Sequence, residues 1–300
     1  MRTIFIRQGK YPHNPLHRLI YAIGAVITSA VTSGWLRHSK TAQDIYNRLY
    51  FMGKRVLDLG ADRFFKRTIH PGMTVIDIGS NIGYYAVLFS KLVGPEGRVY
   101  AFEPDPFNFE ILSANVRRFR CENVKLYCKA VWSKSVDVML HVSALNRADN
   151  RVYSFRKDAD APTIPAIAID DIHDEIRQPV HFIKMDIQGS EVRALEGMQQ
   201  LLKNATRLSM HAEFWPHGIY DGRTKPEEYF DFLLSSGFQV FIHEENEAMT
   251  PVTEIGALLS RCKGRRYVDL YCILERGSKP LTDTIGRLMT SPCDSLPLTK

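Results

Sequence analysis

The chain has 300 residues, of which 45% are hydrophobic and 24% charged, and this composition excludes a disordered or fibrous protein. Its five cysteines are an odd set without a C-x-x-C pair, so the sequence indicates neither a disulfide framework nor a zinc site, and we expect a reducing, cytoplasmic location. The net charge of +6 is concentrated in residues 1–70, which hold twelve Lys/Arg and three Asp/Glu, but no nucleic-acid-binding motif accompanies it and no nucleic-acid partner is expected.

The N-terminal residues divide into a basic arm, 1–40, and a helical lead-in, 41–70. Within the arm, Leu19–Leu36 has no charged residue over 18 positions and follows four Lys/Arg residues. A moderately apolar stretch of this length is at the short end of what a membrane-spanning helix needs. Two interpretations therefore stay open, a membrane anchor and a buried or interfacial helix. In the lead-in, apolar residues recur at helical spacing from Thr41 to Arg67.

Residues 74–92 predict a buried strand, a glycine turn and a helix. The apolar run before the turn is typical of a strand covered on both faces, and helical spacing follows it. A dinucleotide-binding turn has glycine at its first, third and sixth positions, which here are Gly79, Asn81 and Tyr84. NAD is therefore disfavoured. The pattern Asp77-x-Gly79-x-Asn81-x-Gly83 favours S-adenosylmethionine, with Gly79 letting the backbone approach a ligand and Gly83 relieving crowding at the helix start.

The next predicted strand, Val99–Phe102, ends in Glu103. A carboxylate at the end of this strand can accept both hydrogen bonds of a ribose diol, as the acid of dinucleotide-binding folds does. Turn and acid together predict a nucleoside-cofactor site.

Helices and strands continue to alternate downstream, which predicts a doubly wound α/β sheet with ligands at the carboxyl ends of its strands. Residues 146–165 are predicted to be a polar loop that covers a site, and residues 277–300 a mobile tail after a catalytic domain spanning 71–276. The predicted elements are a helix at 104–120, strands at 124–131, 136–142 and 181–187, a helix at 190–202, a strand at 208–214, a helix at 226–236, and an antiparallel pair at 239–243 and 267–274.

The segment from Phe182 to Glu191 places several candidate catalytic residues at the end of a core strand. Asp186 lies at the strand tip, where a carboxylate beside a cofactor crevice needs a partner. Lys184 faces the same side and either acts directly or neutralises Asp186. Glu191 is a catalytic candidate too, although the helix dipole alone favours an acid in a first helical turn.

The next core strand carries His211 and Glu213 on one face, because side chains alternate along a strand. These two residues are candidates for a base and its orienting acid. Alternatively, Asp186 and Glu213 hold a divalent metal such as Mg²⁺, since hard cations favour carboxylate oxygens. A hydrogen-bonded pair within the sheet is the purely structural alternative.

Four segments in order, VIDIGSNIGYYAVLFS, FEPDP, FIKMDIQGSEVRALEGM and HAEFWP, resemble the FkbM family of S-adenosylmethionine-dependent methyltransferases. The resemblance runs from about residue 71 to about residue 243. It implies a seven-stranded class I methyltransferase sheet and methyl transfer, usually to a hydroxyl oxygen of a natural product or a sugar. It also implies that Asp186, Gly189 and Glu191 form the family's second signature, and that the cofactor is lined by Asp77, Gly79, Asn81, Gly83 and Glu103, with Ala130 and Val131 near the adenine.

Hydroxyl methylation requires that the acceptor lose a proton, and we expect His211 or Asp186 to take it. The acceptor is expected to be a small molecule or a glycan, with the aromatic residues Trp215, Tyr220 and Tyr153 as candidates for stacking on it. Two other functions stay open. One is nitrogen methylation, although residues 186–189 lack the Asn/Asp-Pro-Pro-aromatic turn of many such enzymes, and the other is a non-catalytic cofactor-binding module.

Overall fold

A computed structural model describes residues 39, 41, 45, 51, 59–143, 150–153, 161–244, 247–264 and 266–277. The apolar stretch Leu19–Leu36, almost all of the basic arm and the predicted tail lie outside these residues. In the described part of the chain, no helix combines the length and the apolar character needed to cross a membrane.

The main sheet has eight strands in the order β3-β2-β1-β8-β9-β12-β10-β11. The strands from β3 to β9 run parallel, whereas β12, β10 and β11 pair antiparallel with their neighbours. The first seven strands match the predicted sheet, and β11 adds an eighth at the edge. The bounds are β1 Thr74–Ile78, β2 Arg98–Phe102, β3 Val124–Tyr127, β8 Phe182–Met185, β9 Arg207–Phe214, β10 Gln239–His243, β11 Met249–Val252 and β12 Val268–Glu275.

Helices cover both faces of this sheet, so the domain has three layers. On one face, Phe64 and Phe65 of α1 and Phe89 of α2 pack against β1, β8 and β12, and α3 packs beside them. The other face carries α4, α5, α7 and α8. The helices are α1 Leu59–Thr68, α2 Tyr84–Val93, α3 Pro106–Arg118, α4 Glu191–Glu196, α5 Gln199–Asn204, α6 Pro216–Asp221, α7 Pro226–Ser235 and α8 Ile255–Arg261, and a 3₁₀ segment spans Ile169–Glu175.

A second, four-stranded sheet includes part of the predicted polar loop. Its order is β4-β7-β5-β6, with β4 Ala130–Val131, β5 Asp137–His141, β6 Arg151–Tyr153 and β7 Thr163–Ile167. The loop prediction was therefore wrong at 151–153 and 163–165, because these short strands bury few side chains and become visible only through their pairing partners. The predicted strand 124–131 also divides, since Ala130 and Val131 pair with β7 instead of continuing β3.

The helix predicted at 190–202 is two helices, α4 and α5. It breaks at Gly197, where a Cβ atom would lie 1.9 Å from the carbonyl oxygen of Trp132. This close approach of two backbones was not visible in the sequence. The short elements α6, α8 and β11 were also missed, because each is too short for a periodic pattern.

Candidate active site

The carboxyl ends of β1, β2, β8 and β9 bring the candidate residues together. The register pairs Asp77 with Lys184 on β8, and Lys184 with His211 on β9. Residues paired in register on parallel strands point to the same face, so these three side chains form a row across the sheet. The strand order reverses beside β1, which is where open α/β sheets bind ligands.

The β1–α2 turn forms one wall of a crevice at this edge. Gly79 has a φ of +81°, and the amides of Gly79 and Ser80 both donate to the carbonyl oxygen of Phe102 at 3.0 Å. A Cβ atom on Gly79 would lie 2.1 Å from the carbonyl oxygen of Asp186. The close approach at Gly79 is therefore to another strand end of the protein itself, and the approach to a ligand stays a prediction.

Gly83 starts α2 with a φ of +90°, and a Cβ atom there would lie 2.5 Å from Cδ1 of Leu112 on α3. It relieves crowding at the helix start, as predicted, by packing against α3, and the cofactor-lining position implied by the resemblance stays a prediction.

Glu103 is buried at the end of β2 and holds the same turn. Its Oε2 accepts the backbone N–H of Asn81 at 2.8 Å, and its Oε1 accepts that of Asp105 at 3.0 Å. Burial raises the pKa of Glu103 to about 7, although the two backbone hydrogen bonds favour the ionised form. Asn81 itself has a φ of +49°, so this carboxylate stabilises a left-handed turn residue.

The crevice between this turn and the second sheet is mostly apolar. Ala130 and Val131, which the resemblance implies to lie near the adenine, both lie in its wall. Its lining includes Ile78, Gly79, Phe102, Pro104, Lys129, Ala130, Val131, Val152, Ile187 and Ser190.

Asp77 is completely buried next to the crevice. Neither of its carboxylate oxygens has a hydrogen-bond partner among the described residues, and Nζ of Lys184 lies 3.7 Å from Oδ1. Burial raises the pKa of Asp77, and the ammonium group of Lys184 partly opposes this.

Lys184 connects the two acids of this edge. Its Nζ lies 4.0 Å from Oδ2 of Asp186, donates to the carbonyl oxygen of Gly79 at 3.4 Å, and lies 5.1 Å from the ring centroid of Tyr85. The side chain is 7% exposed. Of the two predicted roles, this geometry supports neutralisation of Asp186 over a direct catalytic role, and the same ammonium group also lies beside Asp77.

Asp186 is the accessible acid, with 40% of its side chain exposed, whereas Glu213 is buried. The amide Nε2 of Gln188 donates to Oδ1 of Asp186 and lies 3.5 Å from Oε2 of Glu213. The metal alternative is not supported, because an N–H donor stands between the two carboxylates that would bind the ion. In the part of the chain that the structure describes, no group of three or more His, Cys, Asp or Glu side chains could hold a metal.

His211 and Glu213 lie on one face of β9, as predicted, but the imidazole has a different environment from the one expected. Its Nε2 lies 3.2 Å from Nδ1 of His243 on β10. The rings of Phe64 and Phe65 cover it at centroid distances of 5.3 and 5.2 Å. His211 is thus buried beneath α1 and pairs with a histidine that the sequence did not single out, because β10 reaches it only through β12.

Glu191 closes its own turn. Its Oε1 accepts the backbone N–H of Gly189 at 3.1 Å, and burial raises its pKa to about 7. Gly189 has a φ of +107°, and a Cβ atom there would lie 2.1 Å from the carbonyl oxygen of Gly218 in α6. These contacts support the non-catalytic interpretation of Glu191, with Gly189 required for backbone packing.

Residues 150–153 of the second sheet, of which Val152 lines the crevice, contact the main body of the domain. The hydroxyl group of Ser190 donates a hydrogen bond to the carbonyl oxygen of Val152 at 2.7 Å, and Nδ2 of Asn150 donates one to Oδ2 of Asp105 at 2.8 Å. Arg151 forms an ion pair with Asp221 of α6, and its Cζ lies 4.6 Å from the ring centroid of Trp215. Sequence patterns carry no signal for these long-range contacts.

Of the aromatic residues predicted to stack on an acceptor, Tyr153 and Trp215 are buried, and Tyr220 is 55% exposed. Trp215 already has the Arg151 guanidinium over its ring. Tyr220 therefore stays the accessible candidate of the three.

The reversed strand order, the glycine turn and the acid ending β2 define the class I, Rossmann-like methyltransferase fold. The chain belongs to the FkbM methyltransferase family: the Methyltransferase FkbM domain matches residues 77–240.

Similar proteins cover different parts of the chain. It is 29% identical over 147 residues to the hexuronic acid methyltransferase AglP of Haloferax volcanii, and this match covers 48% of this chain and 58% of that protein. It is 41% identical over 66 residues to the 31-O-demethyl-FK506 methyltransferase FkbM of Streptomyces tacrolimicus, and this match covers 21% of this chain and 25% of that protein. The solved precorrin-6y C5,15-methyltransferase of Geobacter metallireducens has 12% identity and a TM-score of 0.42, covering 73% and 88%. The chain spans about a quarter to three-fifths of the length of the curated relatives it matches.

Proposed function

We propose that this protein transfers a methyl group from S-adenosylmethionine to a hydroxyl oxygen of a sugar, a glycan or another natural product. The observation that carries the proposal is the crevice at the strand-order reversal, with the Gly79 turn on one side and Glu103 at the end of the adjacent strand. Family membership and the names of the relatives support the same reaction class.

The residues at the crevice fit the chemistry of this cofactor. S-adenosylmethionine supplies an electrophilic methyl group, and it also carries an ammonium group, a ribose diol and an adenine. Among the described residues, no hydrogen-bond donor reaches either buried carboxylate oxygen of Asp77. Glu103 has lone pairs beyond those used by the N–H groups of Asn81 and Asp105 and by the amide of Asn108. Ala130 and Val131 offer an apolar wall for the adenine.

Asp186 is best suited to take the acceptor proton. It lies at the carboxyl edge of the sheet with part of its side chain exposed, and Lys184 and Gln188 each contact one of its oxygens. These contacts hold the carboxylate in one orientation, as a general base requires. His211 is the weaker candidate, because α1 covers it.

An acceptor approaching Asp186 would enter beside α6 and β6. There the ion pair of Arg151 and Asp221 offers hydrogen-bond donors and acceptors side by side, and Tyr220 adds an exposed ring. Hydroxyl groups and an aromatic-stacking face are properties of sugars, which supports a glycan or sugar-bearing acceptor.

The test is calorimetric titration of S-adenosylmethionine and S-adenosylhomocysteine, followed by transfer of labelled methyl groups to hydroxylated acceptors. We expect wild type to bind both compounds and Glu103→Ala to lose binding. Asp186→Asn should keep cofactor binding and lose transfer at least about a hundredfold, the usual contribution of a general base. A folded wild type that binds neither compound would overturn both the proposed function and the non-catalytic cofactor-binding alternative. Unchanged transfer in Asp186→Asn would move the base role to another residue.

A further inference from the structure

We propose that Gln188 is a positioning residue whose side-chain amide occupies the place of a cation between Asp186 and Glu213, so that this site operates without a divalent metal. This inference rests on the proposed function in one respect: the proposed function places these two carboxylates on the acceptor side of the site. Gln188 lies within the segment FIKMDIQGSEVRALEGM, but the sequence analysis assigns it no role.

The first step is the geometry of the amide. Its Nε2 donates to Oδ1 of Asp186 and lies 3.5 Å from Oε2 of Glu213, and Gln188 is only 3% exposed. An amide nitrogen has two N–H donors, and ionised carboxylates only accept, so two donors face two acceptors. The other amide atom, Oε1, is buried without a hydrogen-bond partner among the described residues. The two carboxylates therefore determine the orientation of this amide.

The second step is the backbone. Gln188 has a φ of +63°, a conformation that costs a non-glycine residue about 1 to 2 kcal/mol. Glycine would adopt this conformation without the strain. The presence of glutamine is therefore explained by the contacts of its side chain. The turn is held in place from both sides, because Glu191 accepts the N–H of Gly189, and Gly189 packs against the backbone of Gly218.

The third step is electrostatic. Two carboxylates that approach one buried amide repel each other, and proteins commonly relieve such repulsion with a cation. Lys184 approaches Asp186 from its other oxygen, Oδ2. The amide supplies N–H dipoles without adding charge, and a metal ion could enter the same space only if the Gln188 side chain left it.

Replacing the amide with a carboxylate tests this directly. Gln188→Glu keeps the size of the side chain but exchanges its donors for oxygens, which places three carboxylates around one point. We expect full-length wild type to show no binding of Ca²⁺ or Mg²⁺ by calorimetry and no change in melting temperature. Gln188→Glu should melt at a lower temperature without these ions, recover several degrees with them, and bind Ca²⁺ with a Kd on the order of 1 mM or tighter.

The matched control is Gln199→Glu, which adds the same charge at an exposed position of α5 and should leave the response to ions unchanged. Gln188→Met provides a second variant that lacks the donor but adds no charge, and it should show a weaker cation response than Gln188→Glu. If neither variant folds, the wild-type titration still decides, because absence of cation binding supports the proposal.

Cation binding by wild type, or a folded Gln188→Glu that responds no more than the control, would overturn the proposal. Titrating S-adenosylmethionine into the same samples separates the two hypotheses. A wild type that fails to bind the cofactor contradicts the proposed function, whereas the cation result reports on Gln188 alone.

Discussion

Burial controls the ionisation of two glutamates at the site, Glu103 and Glu191. Each carboxyl group has a pKa of about 7, raised from 4.5. Glu103 accepts the backbone N–H groups of Asn81 and Asp105, and Glu191 accepts that of Gly189 in its own turn. The folded state therefore holds protons on these groups that the unfolded chain has released between pH 4.5 and 7. Because each pKa is higher in the folded state than in the unfolded state, these two groups favour folding most below pH 4.5. Their contribution to the free energy of unfolding falls as the pH rises from 4.5 to 7.

Substituting either glutamate should reduce this pH dependence. Between pH 5 and 7, each glutamate lowers the free energy of unfolding by up to about 1.4 kcal/mol per pH unit. In urea unfolding, Glu103→Gln and Glu191→Gln should each lack the contribution of the glutamate that was replaced. A pH dependence identical to wild type in both variants would show that burial does not raise these pKa values.

Cofactor binding distinguishes the two glutamates, which are matched in burial and in pKa. Glu103→Gln should weaken S-adenosylmethionine binding at pH 8 by about tenfold or more, because a hydrogen bond to a charged acceptor contributes about 1.5 to 3 kcal/mol. Glu191→Gln should leave the Kd nearly unchanged, since Glu191 serves its own turn. Equal losses in calorimetric titrations would contradict this division of roles.

At the level of elements, the β1–α2 turn is defined by the approach of another strand end. Gly72 and Gly79 have nearly equal φ values, +84° and +81°, yet a Cβ atom at Gly72 would have nothing within 4 Å. The pair therefore separates backbone strain from close approach.

Gly72→Ala should cost about 1 to 2 kcal/mol of stability, the strain of a left-handed residue, and should keep cofactor binding. Gly79→Ala should cost clearly more and abolish S-adenosylmethionine binding, because its Cβ would displace either the turn or Asp186. The measurements are urea unfolding and calorimetry. If the two variants lose similar stability and both bind the cofactor, the backbone at Asp186 must shift at little energetic cost.

The short elements show where sequence patterns stop. The strand, turn and helix from 74 to 93 were predictable because periodicity and turn chemistry are local properties. The four residues of 150–153 were not, since β6 is defined by its pairing with β5 and by the Arg151 ion pair with Asp221. The same reason explains why Gln188 and His243 were missed, as their roles depend on partners from other strands.

On the scale of the whole molecule, the second sheet is joined to the main body across the crevice by the ion pair of Arg151 and Asp221 and by the hydrogen bonds of Asn150 and Ser190. A partly exposed ion pair contributes little to stability, typically 0.2 to 1 kcal/mol as an order-of-magnitude figure. We expect this ion pair to affect access to the crevice, which the neighbouring Val152 lines, more than folding.

Arg151→Gln should therefore change kinetics more than stability. We expect S-adenosylhomocysteine to dissociate several-fold faster in stopped-flow experiments, with little change in melting temperature. Arg193→Gln, which removes a partly exposed ion pair with Glu196 on α4, is the control and should leave dissociation unchanged. Identical dissociation rates in both variants would show that residues 150–153 do not limit cofactor exit.

The sequence alone determined the α/β alternation, the glycine turn, the acid ending the second strand and the family, because each is encoded by neighbouring residues. It also identified the acids at the strand ends, since strand periodicity places them there. Only the tertiary structure decided their partners: Lys184 lies between Asp77 and Asp186, Gln188 between Asp186 and Glu213, and His211 beneath α1. Distances between side chains from different strands depend on register and packing, and no local pattern specifies them.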